Sequence, residues 1–436
     1  MNIILLSGGS GKRLWPLSND IRSKQFVKLF KTEEGQYESM LQRVYRSVKK
    51  VDCEATVTIA TSKTQVSSIH NQLEENVGLS IEPGRRDTFP AIALASAYLA
   101  DVMHIDGEEP VVVCPIDPYV DDSYYEALKA LADLAADGES NLVLMGMEPS
   151  HPSENFGYII PKNREKVSFV ESFKEKPTRD VAWKYIERGA LWNGGVFAYK
   201  LKYVLSKAHE LIDFKDYHDL YGKYMTLEKI SFDYAVVEKE PSIRVMRYAG
   251  EWKDIGNWQS LTEVVDEKII GDGIMNDACD NVNIINELDI PILSMGLKNV
   301  VIAASPDGIL VSDKEQSSFI KPFVDNITED IRFAEKSWGT YRVLDATDST
   351  NIIMAELKPG QSMNYHNHKE RDEVWVVISG CGETIVDGVR TVVKMGDTVS
   401  MPAGTKHTVI ATSALKLLEV QLGENISAND KEKFEL

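Results

Sequence analysis

From residue 1 to about 265, short apolar runs alternate with longer stretches whose apolar positions recur every three or four residues. The runs Ile3–Leu6, Thr56–Ala60, Val111–Cys114, Asn141–Met145 and Arg244–Tyr248 predict strands. The periods over Ser39–Lys49, Ala91–Met103 and Tyr124–Ala136 predict helices. Strand and helix in alternation imply a Rossmann-like, doubly wound α/β sheet, mostly parallel, with ligands beyond the carboxyl ends of its strands. From 266 to 333 the helical period disappears. Short β-type runs (Asn283–Ile285, Asn299–Ala303, Ile309–Val311) are separated by turns such as Ser305-Pro306-Asp307-Gly308. This predicts a small β connector, of the kind a few coils of a β-solenoid would make. From 334 to 436 the runs Asn351–Glu356, Val374–Ile378, Thr391–Val393, Thr398–Met401 and Leu415–Val420, with Gly and Pro between them, predict a compact all-β domain.

Composition agrees with several packed domains. The 436 residues are about three times the length of one typical domain. With 43 % hydrophobic and 26 % charged residues the chain is ordinarily globular. The 48 Lys and Arg against 67 Asp and Glu leave a formal charge of −19, a field that repels nucleic acid and anionic membranes. An anionic ligand must therefore be held locally, by amides, a few cations or a metal. Cys53, Cys114, Cys279 and Cys381 are scattered and form no Cys-x-x-Cys pair, so a reducing, cytoplasmic setting is expected. Ile3–Leu6 is too short for a signal-peptide core, and no apolar stretch approaches a membrane span.

The first strand runs into Ser7-Gly8-Gly9-Ser10-Gly11-Lys12-Arg13-Leu14-Trp15-Pro16. Glycines directly after a strand let several amides face one anion, and Lys12 and Arg13 add charge suited to phosphates. The loop is neither a Walker A motif, because Arg13 follows Lys12 and Leu6 stands at the first Gly position, nor a Gly-x-Gly-x-x-Gly fingerprint. Further motifs follow in order: Lys24-Gln25-Phe26, Glu82-Pro83-Gly84-Arg85-Arg86-Asp87-Thr88, Pro115-Ile116-Asp117, Asn155-Phe156-Gly157-Tyr158-Ile159, Phe173-Lys174-Glu175-Lys176-Pro177, Trp192-Asn193-Gly194-Gly195, Ser231-Phe232-Asp233-Tyr234 and Trp252-Lys253-Asp254. On these residues the chain resembles the nucleoside-diphosphate-sugar pyrophosphorylases and, within them, the mannose-1-phosphate guanylyltransferases. It resembles most the long bacterial members that join this enzyme to a C-terminal cupin with mannose-6-phosphate isomerase activity. Departures are Ser23 for the usual Pro, Arg85, Asp87 and Phe89 in the second block, and Pro118 for His.

The resemblance implies attack by a sugar-1-phosphate oxygen on the α-phosphorus of a nucleoside triphosphate, with pyrophosphate leaving. GTP and mannose-1-phosphate are the favoured pair. Two anions must be brought together, so the protein's task is charge suppression and alignment, with no covalent nucleophile. Arg13, Lys24 and Asp117 are the implied catalytic residues. Gly8, Gly9, Ser10, Gly11, Lys12, Arg86 and Asp87 would bind the nucleotide, and Gly157, Glu175, Lys176 and Asn193 the sugar phosphate. Asp117 and Asp254 would hold Mg²⁺, which takes one or two carboxylates plus phosphate oxygens.

A second constellation lies near the C-terminus, where three of the eight histidines fall. Gly360-x₅-His366-x-His368-x₄-Glu373-x₆-Gly380 and Gly396-x₅-Pro402-x-Gly404-x₂-His407 are the two cupin motifs. Alternation puts His366 and His368 on one strand face, and Glu373 and His407 complete a three-His, one-carboxylate set for a divalent transition metal such as Zn²⁺. The isomerase family runs His-x-His-Arg-x-Glu-x-Trp here, whereas this chain is two residues longer, with Lys369 in place of Arg. The isomerase and a structural cupin therefore stand as alternatives, as do a different sugar or base for the transferase and, from another class, a sugar-nucleotide sensor. Cupin edge strands leave homo-oligomerisation open.

Overall fold

The computed structural model describes residues 1–9, 12–73, 77–327, 331–424, 426 and 430–435. Two compact units emerge, and they are interleaved along the chain. The first comprises 1–9, 28–65 and 73–256, and the second 10–27, 66–72 and 257–436. The boundaries expected from the sequence, at 265/266 and 333/334, are by contrast linear.

The first unit is built on a nine-stranded sheet of β1 (Asn2–Leu6), β2 (Thr56–Ser62), β3 (Gly78–Glu82), β4 (Pro110–Pro115), β5 (Leu142–Met147), β6 (Gly157–Pro161), β7 (Val167–Lys174), β8 (Leu191–Lys200) and β9 (Ile243–Tyr248). Their order is β3-β2-β1-β4-β8-β5-β9-β7-β6. β1, β4 and β5 are apolar on both faces and almost wholly buried, as expected of strands covered on both sides. The β3-β2-β1-β4 block is parallel, with Asn2 beside Thr56 on one side and Val111 on the other. β9 runs parallel to β5. β8, which carries the Trp-Asn-Gly-Gly motif, enters antiparallel between β4 and β5, and β7 is antiparallel to β6 and β9. The sheet is thus parallel in its first half and mixed beyond β4.

Several helices flank this framework, three of them long. α1 (Met40–Val51) starts at a capping box in which the Ser39 side chain accepts from the Gln42 amide, and it buries Met40, Leu41, Val44 and Val48 on one face. α2 (Thr88–Asp101) is buried over most of its surface. α3 (Ser123–Ala136) buries Leu128, Leu131, Ala132 and Ala135. The core gathers Ile4, Val111, Val113, Leu142, Leu144, Phe197, Tyr199, Phe232 and Val245.

In the second unit, Ile269–Ile270, Asn283–Asn286 and Val300–Ser305 stack in parallel register, as do Gly273–Met275 and Ile292–Ser294. Successive parallel strands joined by short turns make solenoid-like coils, which Gly308–Asp313 closes antiparallel. The C-terminal domain consists of two sheets. One has six strands: Phe333–Lys336, Gly339–Ala346, Thr350–Leu357, Leu415–Gly423, Arg371–Ser379 and Thr398–Met401. The other has five: Val389–Lys394, Cys381–Val386, His407–Ala411, His366–Asn367 and Glu432–Lys433. Trp375, Val377, Met401, Val409, Leu415 and Leu417 form the core between them. Among the described residues no helix is long and apolar enough to cross a membrane.

Candidate active sites

At the carboxyl end of β1, Gly8 and Gly9 are exposed, with open space where a Cβ would stand, and Gly9 adopts φ 116°. Such a turn admits close approach by a ligand. Ser10 and Gly11 lie outside the described residues. Lys12, Arg13 and Lys24 belong to the segment 10–27 of the second unit. Lys12 meets Asp325 at 3.2 Å and Asp20 at 3.6 Å, and the hydrogen bond to Asp325 chiefly holds its ammonium above the ordinary range. Arg13 is exposed, and Lys24 sits half-buried in a short 3₁₀ turn.

Asp117 follows β4. The short strands Pro118–Val120 and Trp252–Asp254 pair antiparallel, with Asp254 opposite Pro118. Backbone register therefore draws Asp117 and Asp254 to one sheet end. Arg86 donates to the Met225 carbonyl, while Asp87, at φ 70°, caps α2 by accepting from the Thr88 amide at 2.8 Å. Both side chains thus have structural partners.

The four residues expected to bind the sugar phosphate do come together. β6, β7 and β8 converge so that Gly157 lies opposite Asn193, and Glu175 follows the end of β7. The Glu175 side chain is 8 % exposed and its Oε1 pairs with Lys176 at 3.2 Å. Its Oε2 is buried with no hydrogen-bond partner. A Cβ on Gly157 would overlap that oxygen, so glycine is what lets the carboxylate lie there. Asn193 donates to Asp233 at 2.7 Å and accepts from the Gly195 amide at 3.1 Å, which fixes its amide. Asp233 is pushed up to about 6, first by burial and then by the Glu175 charge. Lys176 is held above its ordinary value because its contact with Glu175 outweighs its burial. Phe156 packs on Trp192 and Trp252, at centroid separations of 4.9 and 5.5 Å, and the Trp252 indole N–H is buried without a partner. An aromatic wall beside unpartnered polar atoms suits a hydroxyl-rich ligand.

In the C-terminal domain, His366 and His407 are directly paired on adjacent strands, and Glu373 reaches them from the other sheet. The ligand atoms of His366, His368, Glu373 and His407 lie within 4.8 Å of one another, all on buried side chains. Each histidine donates its Nδ1–H to a backbone carbonyl: Asn364 at 2.6 Å, Asp430 at 2.5 Å and Thr405 at 2.9 Å. That tautomer presents Nε2 to the cluster. Burial pushes His366 down to about 3 and His368 to about 4, so both are neutral at physiological pH, the form able to ligate a metal. His407 Nε2 and Glu373 Oε2 are buried 3.1 Å apart; with the His407 proton on Nδ1 no hydrogen lies between them, which fits two lone pairs turned toward a metal. Around them, Arg371 donates Nε to Glu373 at 3.3 Å and Nη2 to His368 at 3.1 Å, and Gln421 donates to Glu373 at 3.2 Å. His366, His368, Arg371, Glu419 and Gln421 line a cavity of about 860 Å³, together with Lys336, Lys431 and Lys433.

The nucleotidyl transferase family matches residues 2–269. This chain belongs to that family. The mannose-6-phosphate isomerase C-terminal family matches residues 325–436. Mannose-1-phosphate guanylyltransferase of Escherichia coli K12 is 28 % identical over 99 % of this chain and 97 % of its own length. Alginate biosynthesis protein AlgA of Pseudomonas putida is 28 % identical over 99 % and 95 %. The crystal structure of mannose-1-phosphate geranyltransferase from Thermus thermophilus superposes with a TM-score of 0.63 at 29 % identity, covering 75 % of this chain and 99 % of that one.

In this nucleotidyl transferase the sequence motifs contain two site groups that motif reading passed over, Asp233 and the Trp252 N–H. Asp233 stood between the buried Phe232 and Ala235 of a four-residue helix, an acidic position on an otherwise apolar turn. In the cupin, Arg371, Glu419 and Gln421 were also missed. Glu419 and Gln421 continue the inward alternation of Leu415 and Leu417, and a polar pair on that face was the available signal.

Proposed function

We propose that the chain transfers a guanylyl group from GTP to mannose-1-phosphate, releasing pyrophosphate. The observation that carries this reading is the sugar-side cluster at the carboxyl ends of the sheet: a buried, unpartnered carboxylate oxygen on Glu175 beside Lys176, Asn193 and Asp233. Glu175 Oε2 and Asn193 would accept and direct sugar hydroxyls, and Lys176 would pair with the sugar's phosphate. On the likeness of the motifs alone, Arg13 and Lys24 would meet phosphates of the nucleotide, and the amides of Gly8 and Gly9 are suited to the same chemistry. The Lys12 charge is already largely answered by Asp20 and Asp325. Asp117 and Asp254 would hold Mg²⁺, whose chemistry is neutralisation of the charge that builds during attack. Pyrophosphate release measured with four NTPs against a panel of sugar-1-phosphates tests the proposal: GTP with mannose-1-phosphate is expected to lead. A lead by another pair would change the substrate, and no release from any pair would end the reading.

For the cupin we propose interconversion of mannose-6-phosphate and fructose-6-phosphate. His366, His368, Glu373 and His407 would hold a divalent transition metal such as Zn²⁺, which supplies polarisation of a sugar carbonyl or hydroxyl. Arg371 and Gln421 orient Glu373. Burial and the Glu373 charge push the Glu419 carboxyl up. The full chain assayed with each sugar phosphate after loading with Zn²⁺, Mn²⁺, Fe²⁺ or Ni²⁺ tests this. No interconversion with any metal would leave the cupin structural.

A further inference from the structure

We infer that Glu287 and Asp307, both on the solenoid-like connector, are positioning residues for nucleotidyl transfer, because they fix the loop that carries Lys12, Arg13 and Lys24. The inference rests on the reading above that this loop meets the triphosphate.

That loop has little regular structure of its own, held locally by short-range bonds such as Leu17 N–H to Leu14 O and Asn19 N–H to Arg22 O. Between residues 12 and 27 its only described regular elements are two three-residue 3₁₀ turns, Lys12–Leu14 and Lys24–Phe26. The intervening stretch is further anchored from the connector. Arg22 makes a forked pair with Glu287, Nη1 to Oε2 at 2.8 Å and Nη2 to Oε1 at 2.9 Å, with the Arg22 side chain 9 % exposed. Asn19 donates its amide to Asp307 Oδ2 at 2.6 Å, while its own Oδ1 accepts from the Ile21 and Arg22 amides. Ser305 Oγ donates to the Pro16 carbonyl at 2.7 Å, and Gly308 lies so close to Trp15 that a Cβ there would overlap the indole. The Trp258 indole donates to the Trp15 carbonyl at 3.1 Å. Asp307 is itself held from the other side, since its Oδ1 accepts from the amides of Arg332 and Phe333.

The anchors span residues 15 to 22, between Arg13 and Lys24, so they set where both cations begin. A buried Arg–carboxylate pair adds little net stability over an apolar pair of similar volume. What it adds is direction, because a two-bond fork fixes both distance and plane. Positioning errors of about 1 Å can lower a rate roughly 100-fold. The fork is therefore better explained by alignment of the loop than by stabilisation of the fold.

The test uses full-length chains. The double variant Arg22→Met/Glu287→Met replaces the fork with apolar side chains, and Arg22→Lys keeps the charge but loses the fork. Both are expected to unfold within a few degrees of wild type. Both should lose about 10- to 100-fold in kcat/KM for GTP, while KM for mannose-1-phosphate changes less than twofold. Gly308→Ala, which displaces Trp15 without touching the ion pair, is expected to show the same split. Wild-type GTP kinetics in the folded variants would overturn the inference, as would equal losses for both substrates, the signature of general destabilisation. A wild-type chain that releases no pyrophosphate from any NTP would instead overturn the functional reading on which this one stands.

Discussion

Asp233 has the most perturbed carboxyl in the proposed sugar-side cluster, and its consequence for stability has a definite sign. Its folded-state value of about 6 lies above the ordinary aspartate range, raised by burial and by Glu175. Between roughly pH 4 and 6 the folded chain binds the extra proton, so this contribution is present at low pH and is lost as pH rises through about 6. A shift of about two pH units corresponds to roughly 3 kcal/mol. Asp233→Asn removes it. Urea unfolding at pH 4.5 and 7 should show the wild type losing about 2 kcal/mol more than the variant over that interval. Equal losses would mean that Asp233 titrates normally. Gly157 makes a second residue-level case. Gly157→Ala must displace Glu175 Oε2, which the new Cβ would overlap, and Phe173, at 2.9 Å. KM for the sugar phosphate is expected to rise about tenfold, the equivalent of one charge-assisted hydrogen bond of about 1.5 kcal/mol; unchanged sugar kinetics would remove Glu175 from the sugar site.

At the scale of elements, both sites are made by strands arriving from different directions. In the cupin, adjacent strands set His366 opposite His407, and the other sheet supplies Glu373 together with the Gln421 that orients it. Gln421→Leu keeps the strand but removes that orientation. Zinc affinity, titrated against a competing chelator, is expected to fall about 10- to 100-fold, as for other residues that orient a ligand; unchanged affinity would make Gln421 a packing residue. The histidine and glutamate spacing was legible because strand alternation is local. Strands β1, β4 and β5 were legible for a similar reason, since burial on both faces writes itself as an unbroken apolar run. β8 was not, because its two central glycines interrupt the apolar pattern, and its register shifts between Asn193 and Phe197. For Asp233 and Gln421 a local pattern marks a polar group among apolar neighbours but not its role, because each acts on a partner distant in sequence, Asn193 or Glu373, and no local period records such a pairing.

For the whole molecule the same limit is sharper. A linear reading divides the chain at residue 265, but the segments 10–27 and 66–72 fold with residues 257–436. A fragment of residues 1–265 would keep Leu14, Leu17 and Phe26, which are buried in the intact chain. It would lose Glu287, Ser305, Asp307 and Gly308, leaving Arg22 as a buried cation without its carboxylate and Trp15, Pro16 and Asn19 without their anchors. Removing one partner of a buried ion pair costs about 3–5 kcal/mol, a large share of the roughly 5–15 kcal/mol that holds a typical domain. Residues 1–327 retain every one of these anchors. The shorter fragment is therefore expected to unfold at lower urea and to be cut first by protease within 10–27, while 1–327 resists cleavage there. Equal urea midpoints and equal protection of that segment would show that the glycine loop folds without the connector.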